Sequence, residues 1–111
     1  MITYIELWKS KQAWNDMSKE EKGNYLEALG PAIQHMMESG VQIVSWGKNE
    51  ASTYSKADYD YFAVWTFPNA ESVKEFEQTV EGAGWYNYFD QVNAMGTATT
   101  PQEVMADMIN A

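Results

Sequence analysis

Hydrophobic and polar positions fall into two periods along this chain. Ile2 to Trp8 (ITYIELW) alternates with a period of two and ends in a lysine, the pattern of a strand. Ser18-x-x-Glu21 has the sequence of a capping box. Behind it Leu26, Leu29, Ile33, Met36 and Met37 recur at helical spacing. Gly30-Pro31 interrupts that helical pattern and predicts a kink or a break into two helices, because proline removes one ladder bond. Gly40 suits the position just past a helix end. Val41 to Trp46 (VQIVSW) is the second predicted strand, and the polar stretch 48–57 reads as a loop. Tyr59 to Phe67 (YDYFAVWTF) is the strongest strand signal. Pro68-Asn69 stops it, with Asn69 placed to cap the next helix. That helix turns Val73, Phe76, Val80 and Ala83 inward and Glu71, Glu77 and Glu81 outward, and Gly82 and Gly84 end it. Tyr86 to about Met95 is predicted as the fourth strand. Thr100-Pro101-Gln102-Glu103 supplies cap, first-turn proline and acid for a short last helix. Val104, Met105, Met108 and Ile109 form its apolar stripe.

The order is β-α-β-β-α-β-α, which predicts one domain over 1–111 with an α+β, ferredoxin-like βαββαβ sheet. In that arrangement helices cover one face of the sheet, and a face left to water should be polar. Here neither face is. Tyr4 and Trp8 alternate with Ile5 and Leu7, and Tyr61, Ala63, Trp65 and Phe67 alternate with Phe62 and Val64. A second copy packed face to face would bury the remaining surface, so the pattern predicts a C2 homodimer closing into an α+β barrel. The alternative is a monomer whose loop 48–57 and last helix cover that face.

Composition narrows the partners. The chain carries seven lysines, no arginine and sixteen acids, for a net charge of −9. Nucleic acid and an anionic membrane surface both call for a basic face, so neither is expected. Without arginine the bidentate clamp for phosphate is missing, and nucleotides are poor candidates. No apolar run approaches the ~18 residues of a membrane span. The first residues lack the features of a signal peptide, so a cytoplasmic location is expected. With no cysteine and one histidine there is no sign of a metal site, and no cofactor motif is visible.

Aromatic residues make up 14% of the chain, including five tryptophans and seven tyrosines. Glu6 sits mid-strand on the face of Tyr4 and Trp8. A carboxylate in such a setting has a raised pKa and a nearby donor, as either the acid or base of a pocket or a structural hydrogen bond. His35, the only histidine, could act as a general base or a haem ligand, or stand at the surface beside the Ile33–Met36–Met37 stripe. Asp60 and Asp90 interrupt strands near their ends and read as structural. Gly82-Ala83-Gly84 lacks the third glycine of a dinucleotide loop and follows a helix rather than a strand, which argues against that loop. It reads instead as a helix stop that turns Trp85, Tyr86, Asn87 and Tyr88 toward a cavity or toward a dimer seam. Met36 and the other methionines suit a bulky, irregular ligand or ordinary core filling.

The segments YIELW (4–8), GPAIQ (30–34), SWG (45–47), ADYDYFAVW (57–65) and EGAGWYNYFDQVN (81–93) carry a resemblance. The chain resembles the dimeric α+β barrel superfamily, and within it an uncharacterised bacterial family of about this length. The superfamily is similar in shape but diverse in chemistry, including cofactor-free polyketide monooxygenases, haem-degrading enzymes, lactone isomerases and stress-response proteins, so the resemblance implies fold rather than reaction.

Two functions follow as expectations. One is a pocket for an apolar or amphiphilic molecule (fatty-acid-like, polyketide or quinone-like). It would be walled by Tyr4, Trp8, Met36, Tyr61, Trp65, Trp85, Tyr86 and Asn87, with Glu6 as acid or base and His35 at the rim. If catalytic, it would run cofactor-independent oxygenation or isomerisation. The other is a non-enzymatic dimeric module whose aromatics only pack. The first needs a cavity of roughly 300 Å³ or more with convergent polar groups.

Overall fold

A computed structural model describes residues 1–111. The chain runs β1 (Ile2–Ser10), α1 (Gln12–Asn15), α2 (Lys19–Ala28), α3 (Gly30–Glu38), β2 (Gln42–Lys48), β3 (Tyr61–Phe67), α4 (Ala70–Gly82), α5 (Trp85–Tyr88), β4 (Phe89–Thr97) and α6 (Pro101–Ile109). The strands form one antiparallel sheet in the order β2-β3-β1-β4. This is the ferredoxin-like α+β arrangement that the element order predicts.

Local chemistry explains most boundaries. Ser18 and Glu21 close a complete capping box at the start of α2, and Asn69 with Ser72 does the same for α4. At Gly30-Pro31 the helical stripe breaks rather than kinks. Helix α2 ends at Ala28 and α3 opens at Gly30, which puts Pro31 in a first turn, where its missing N–H leaves no gap.

Three features differ from the sequence pattern. Strand β3 begins at Tyr61, not Tyr59. The Asn49 side-chain amide donates to the carbonyls of Ala57 and Tyr59 and holds that stretch as a loop. A short helix, α1, fills the link after β1, where no periodic signal stands. Strand β4 starts at Phe89, because Trp85–Tyr88 coils into the one-turn helix α5.

Gly84 opens that turn at φ +74°, in the left-handed region. The carbonyls of Tyr86 and Tyr88 then accept from the Lys11 ammonium and the Lys11 backbone N–H, at 2.6 and 2.8 Å. These contacts override the strand preference of the aromatics. A β-carbon at Gly84 would also come within 3.2 Å of Asn87 Nδ2. Gly84→Ala is therefore expected to lower stability by about 1–2 kcal/mol in urea denaturation.

The register decides which sheet face is which. Tyr4, Glu6 and Trp8 pair with Trp65, Ala63 and Tyr61. Together with Phe67 these residues lie beneath α3 and α4, and the core forms there around Tyr4, Trp8, Met36, Val41, Trp65, Phe67, Val73 and Phe76. The opposite face carries Ile5 beside Val64, and Leu7 between Phe62 and Val92. No helix of the chain covers it. Helix α6 stands clear, with its stripe of Val104, Met105, Met108 and Ile109 exposed, as is every residue from 92 to 111. The loop and last helix thus leave the face open.

Candidate functional site

Glu6 is the only charged residue of the core, 6% exposed. Mid-strand in β1, it projects into a narrow slot of about 70 Å³ between the sheet and helices α3 and α4. Trp8, Trp46, Trp65, Trp85 and Phe76 form aromatic walls, and Ile33, Met36 and Val80 close the helix side. Trp8, Trp46 and Trp85 also border a more open hollow of about 420 Å³, together with Trp14, Tyr61 and Phe89. Ser10 and Lys48 bring polar groups to that hollow. The slot alone is smaller than the expected ~300 Å³, whereas the hollow falls within the size range of ligand sites.

The carboxylate is held from two sides. Trp65 Nε1 donates to Glu6 Oε1 at 2.7 Å, and Gln91 Nε2 donates to Oε2 at 2.6 Å. Gln91 is itself fixed: its carbonyl accepts from Trp85 Nε1 at 2.7 Å, and its amide also donates to Asn93 Oδ1 at 2.8 Å. Register puts this chain in place, since Gln91 lies opposite Trp8 and Asn93 opposite Glu6. Burial pushes the Glu6 carboxyl above its ordinary range, and the hydrogen bonds from Trp65 and Gln91 pull it part of the way back.

A raised carboxyl has a defined consequence for stability. Below the unfolded value both states are protonated, and the burial of Glu6 carries no charge penalty. As pH rises from the ordinary 4.5 through the folded value, the unfolded chain releases its proton more readily, and stability is lost. Glu6→Gln removes this term. Its unfolding free energy relative to the parent is expected to move in the variant's favour between about pH 4 and about pH 8. Denaturant curves at both ends check this, and an unchanged difference contradicts it.

A second polar group lies along the same face. The Tyr4 hydroxyl donates to Glu77 Oε2 on α4 at 2.8 Å. Burial first, and Glu77 second, push that phenol far above its ordinary range. Tyr86 is raised too, mainly by burial, while a hydrogen bond with Asn93 opposes the shift.

Of the residues singled out by sequence, Glu6, Trp8, Met36, Trp65 and Trp85 meet at the slot, and Tyr61 borders the outer hollow. Tyr4 is buried next to them. Tyr86 and Asn87 lie on the exposed side of α5, and only Tyr86 is linked to the network, through Asn93. His35 is outside the slot, with its side chain 69% exposed and 3.9 Å from Glu75. Asp60 and Asp90 stand in the loop before β3 and at the start of β4. Gln91, Asn93 and Trp46 belong to the site and carried no weight in the sequence. Nothing in the sequence marks Gln91 and Asn93, because only the β1–β4 register brings them opposite Trp8 and Glu6. No group of three His, Asp or Glu side chains converges as a metal site would require, and no helix is long and apolar enough to cross a membrane.

Sheet order and helix placement define a ferredoxin-like α+β protein. The family described as "Family of unknown function (DUF6616)" matches residues 1–111, and the chain belongs to it. Among solved structures it is similar to At3g17210 from Arabidopsis thaliana, with 16% identity, a TM-score of 0.61 and coverage of 90% of this chain and 97% of that one. It is also similar to a dimeric ferredoxin-like protein of unknown function from Thermobifida fusca, with 12% identity, a TM-score of 0.56 and coverage of 87% and 90%. A de novo designed protein, Ferredog-Diesel, is similar at 15% identity and a TM-score of 0.51, covering 87% and 85%. Likeness at these identities shows the fold alone. No curated protein matches in sequence.

Proposed function

We propose that this protein binds an apolar or amphiphilic small molecule beneath α3 and α4, with Glu6 as the proton-accepting group, and that it does so as a homodimer. The single observation behind the reading is the buried, donor-held carboxylate facing a slot of tryptophans. This carboxylate lines a slot that shares Trp8, Trp46 and Trp85 with a larger aromatic hollow. In this reading a flat ring lies against the tryptophans that border the hollow, with a polar substituent directed toward the slot and Glu6. If a reaction occurs, abstraction of an acidic proton by Glu6 in an apolar site is the chemistry these side chains offer, and cofactor-independent oxygenation or isomerisation can follow from it. His35, on the outer surface, takes no part in this reading.

The dimer is supported by the open apolar face of Ile5, Leu7, Phe62, Val64 and Val92, and by the dimeric description of the similar Thermobifida fusca protein. The small slot volume favours one other reading, a dimeric module without ligand. Native mass spectrometry of the purified protein, followed by extraction, separates the two. A dimer carrying a co-purified amphiphile that is lost in Glu6→Gln supports the site. A bare protein that takes up no small molecule supports the module.

A further inference from the structure

We propose that Gln91 is the positioning residue of this site: fixed in one orientation, it makes Glu6 a pure acceptor, so that the slot selects flat ligands bearing an O–H or N–H donor and turns away carboxylates. The inference rests on the small-molecule reading above and adds the ligand class.

The argument starts from which atoms can donate. An indole N–H can only donate, so the Trp85 contact at 2.7 Å requires the Gln91 carbonyl to face Trp85. The amide nitrogen must then face the other way, toward Glu6 at 2.6 Å and Asn93 Oδ1 at 2.8 Å. Both of its hydrogens are committed. Trp65 Nε1, on the other carboxylate oxygen, can also only donate. Every protein group bonded to Glu6 therefore favours the ionised acceptor and offers nothing to accept a carboxyl proton. Glu6 lines a slot whose other walls are almost all apolar. Thr79 is the one other polar residue there, and its hydroxyl hydrogen goes to the Glu75 carbonyl at 2.9 Å.

A ligand O–H or N–H that reaches the floor finds a charged acceptor, and a ligand carboxylate finds a like charge in a dry setting. A hydrogen bond to a charged group is worth about 1.5–3 kcal/mol, or roughly 10- to 150-fold in affinity. The net charge of −9 acts in the same direction at long range.

Calorimetric titration with three naphthalenes tests this: 2-naphthol, its methyl ether and 2-naphthoate. The parent protein is expected to bind the naphthol at least about tenfold tighter than the ether, and the naphthoate not measurably. Affinity for naphthol should rise with pH as Glu6 ionises. Gln91→Leu, with a side chain of similar size, leaves Glu6 with one donor. The naphthol preference should shrink and the pH midpoint should move up. Gln91→Glu sets a second carboxyl against Glu6, and such a pair retains a shared proton. That pair still carries one negative charge, so the variant should go on excluding naphthoate while its pH midpoint moves up.

An unchanged preference and pH midpoint in a folded Gln91→Leu protein would make Gln91 merely structural and overturn the proposal. Should that variant not fold, the parent series still decides. Naphthoate binding as tightly as naphthol overturns the donor rule but leaves the site in place. Failure of all three probes overturns the site reading along with the inference.

Discussion

Trp65→Ala is expected to destabilise the protein by about 3–5 kcal/mol, the range for removing a buried aromatic ring. A domain of this size has only about 5–15 kcal/mol in total, so much of the margin goes. The ring is 2% exposed and packs against Trp46, Phe67 and Phe76, with centroids 5.7, 6.3 and 5.2 Å away. Its loss opens a cavity that the rigid sheet cannot close. It also strips Glu6 of one of its two donors. Trp65→Phe separates these effects, since it keeps a ring and removes only the indole N–H. It should cost clearly less, and its stability should fall more steeply than the parent's as pH rises, because the carboxylate has lost part of its compensation. Chemical denaturation with a tryptophan or circular dichroism readout measures both. A Trp65→Ala protein within about 1 kcal/mol of the parent would show that the core is not organised around this ring.

The second large effect concerns the open sheet face. Ile5 and Val64 are directly paired neighbours on adjacent central strands. Ile5→Lys combined with Val64→Lys places two charges at the middle of the surface proposed to meet its twin. In a C2 pair each charge recurs on the facing copy, and like-charge juxtaposition across an interface costs several kcal/mol. Sedimentation equilibrium is expected to find the parent as a dimer and the double variant as a monomer at the same concentration. The slot lies on the other side of the sheet, so the monomer should retain its helical signal. A parent that sediments as a monomer, or a variant that still pairs, removes this face as the interface.

How far the sequence foretold the structure varied by element. Strands β1 and β3 were legible because β-branched and aromatic residues run through them, and so were the capping boxes of α2 and α4, whose signals are local. The αβ turn around Trp85 was not. Three of its four residues are strand-forming aromatics, and the helix exists because Gly84 turns left-handed and Lys11, 75 or more positions away in the chain, bonds the Tyr86 and Tyr88 carbonyls. The helical turn places Tyr86 and Asn87 on the outside. Glu6 could be found because a carboxylate amid aromatics breaks the apolar pattern. Gln91 and Asn93 could not, because polar residues on an edge strand are ordinary, and only the β1–β4 register brings them to Glu6. The sequence also left open which face the helices cover. Burial of Tyr4, Glu6 and Trp8 under α3 and α4 decides that, and it separates the slot from the open face.

The most direct measurement on the central claim is a carbon-13 NMR titration of the Glu6 side-chain carboxyl, assigned by comparison with Glu6→Gln and repeated with 2-naphthol present. The account predicts a midpoint above the ordinary 4.5, and a shift of this resonance on adding naphthol above that midpoint while the surface carboxylates stay in place. A Glu6 that titrates with the surface acids, or that ignores the ligand while other carboxylates respond, would contradict it.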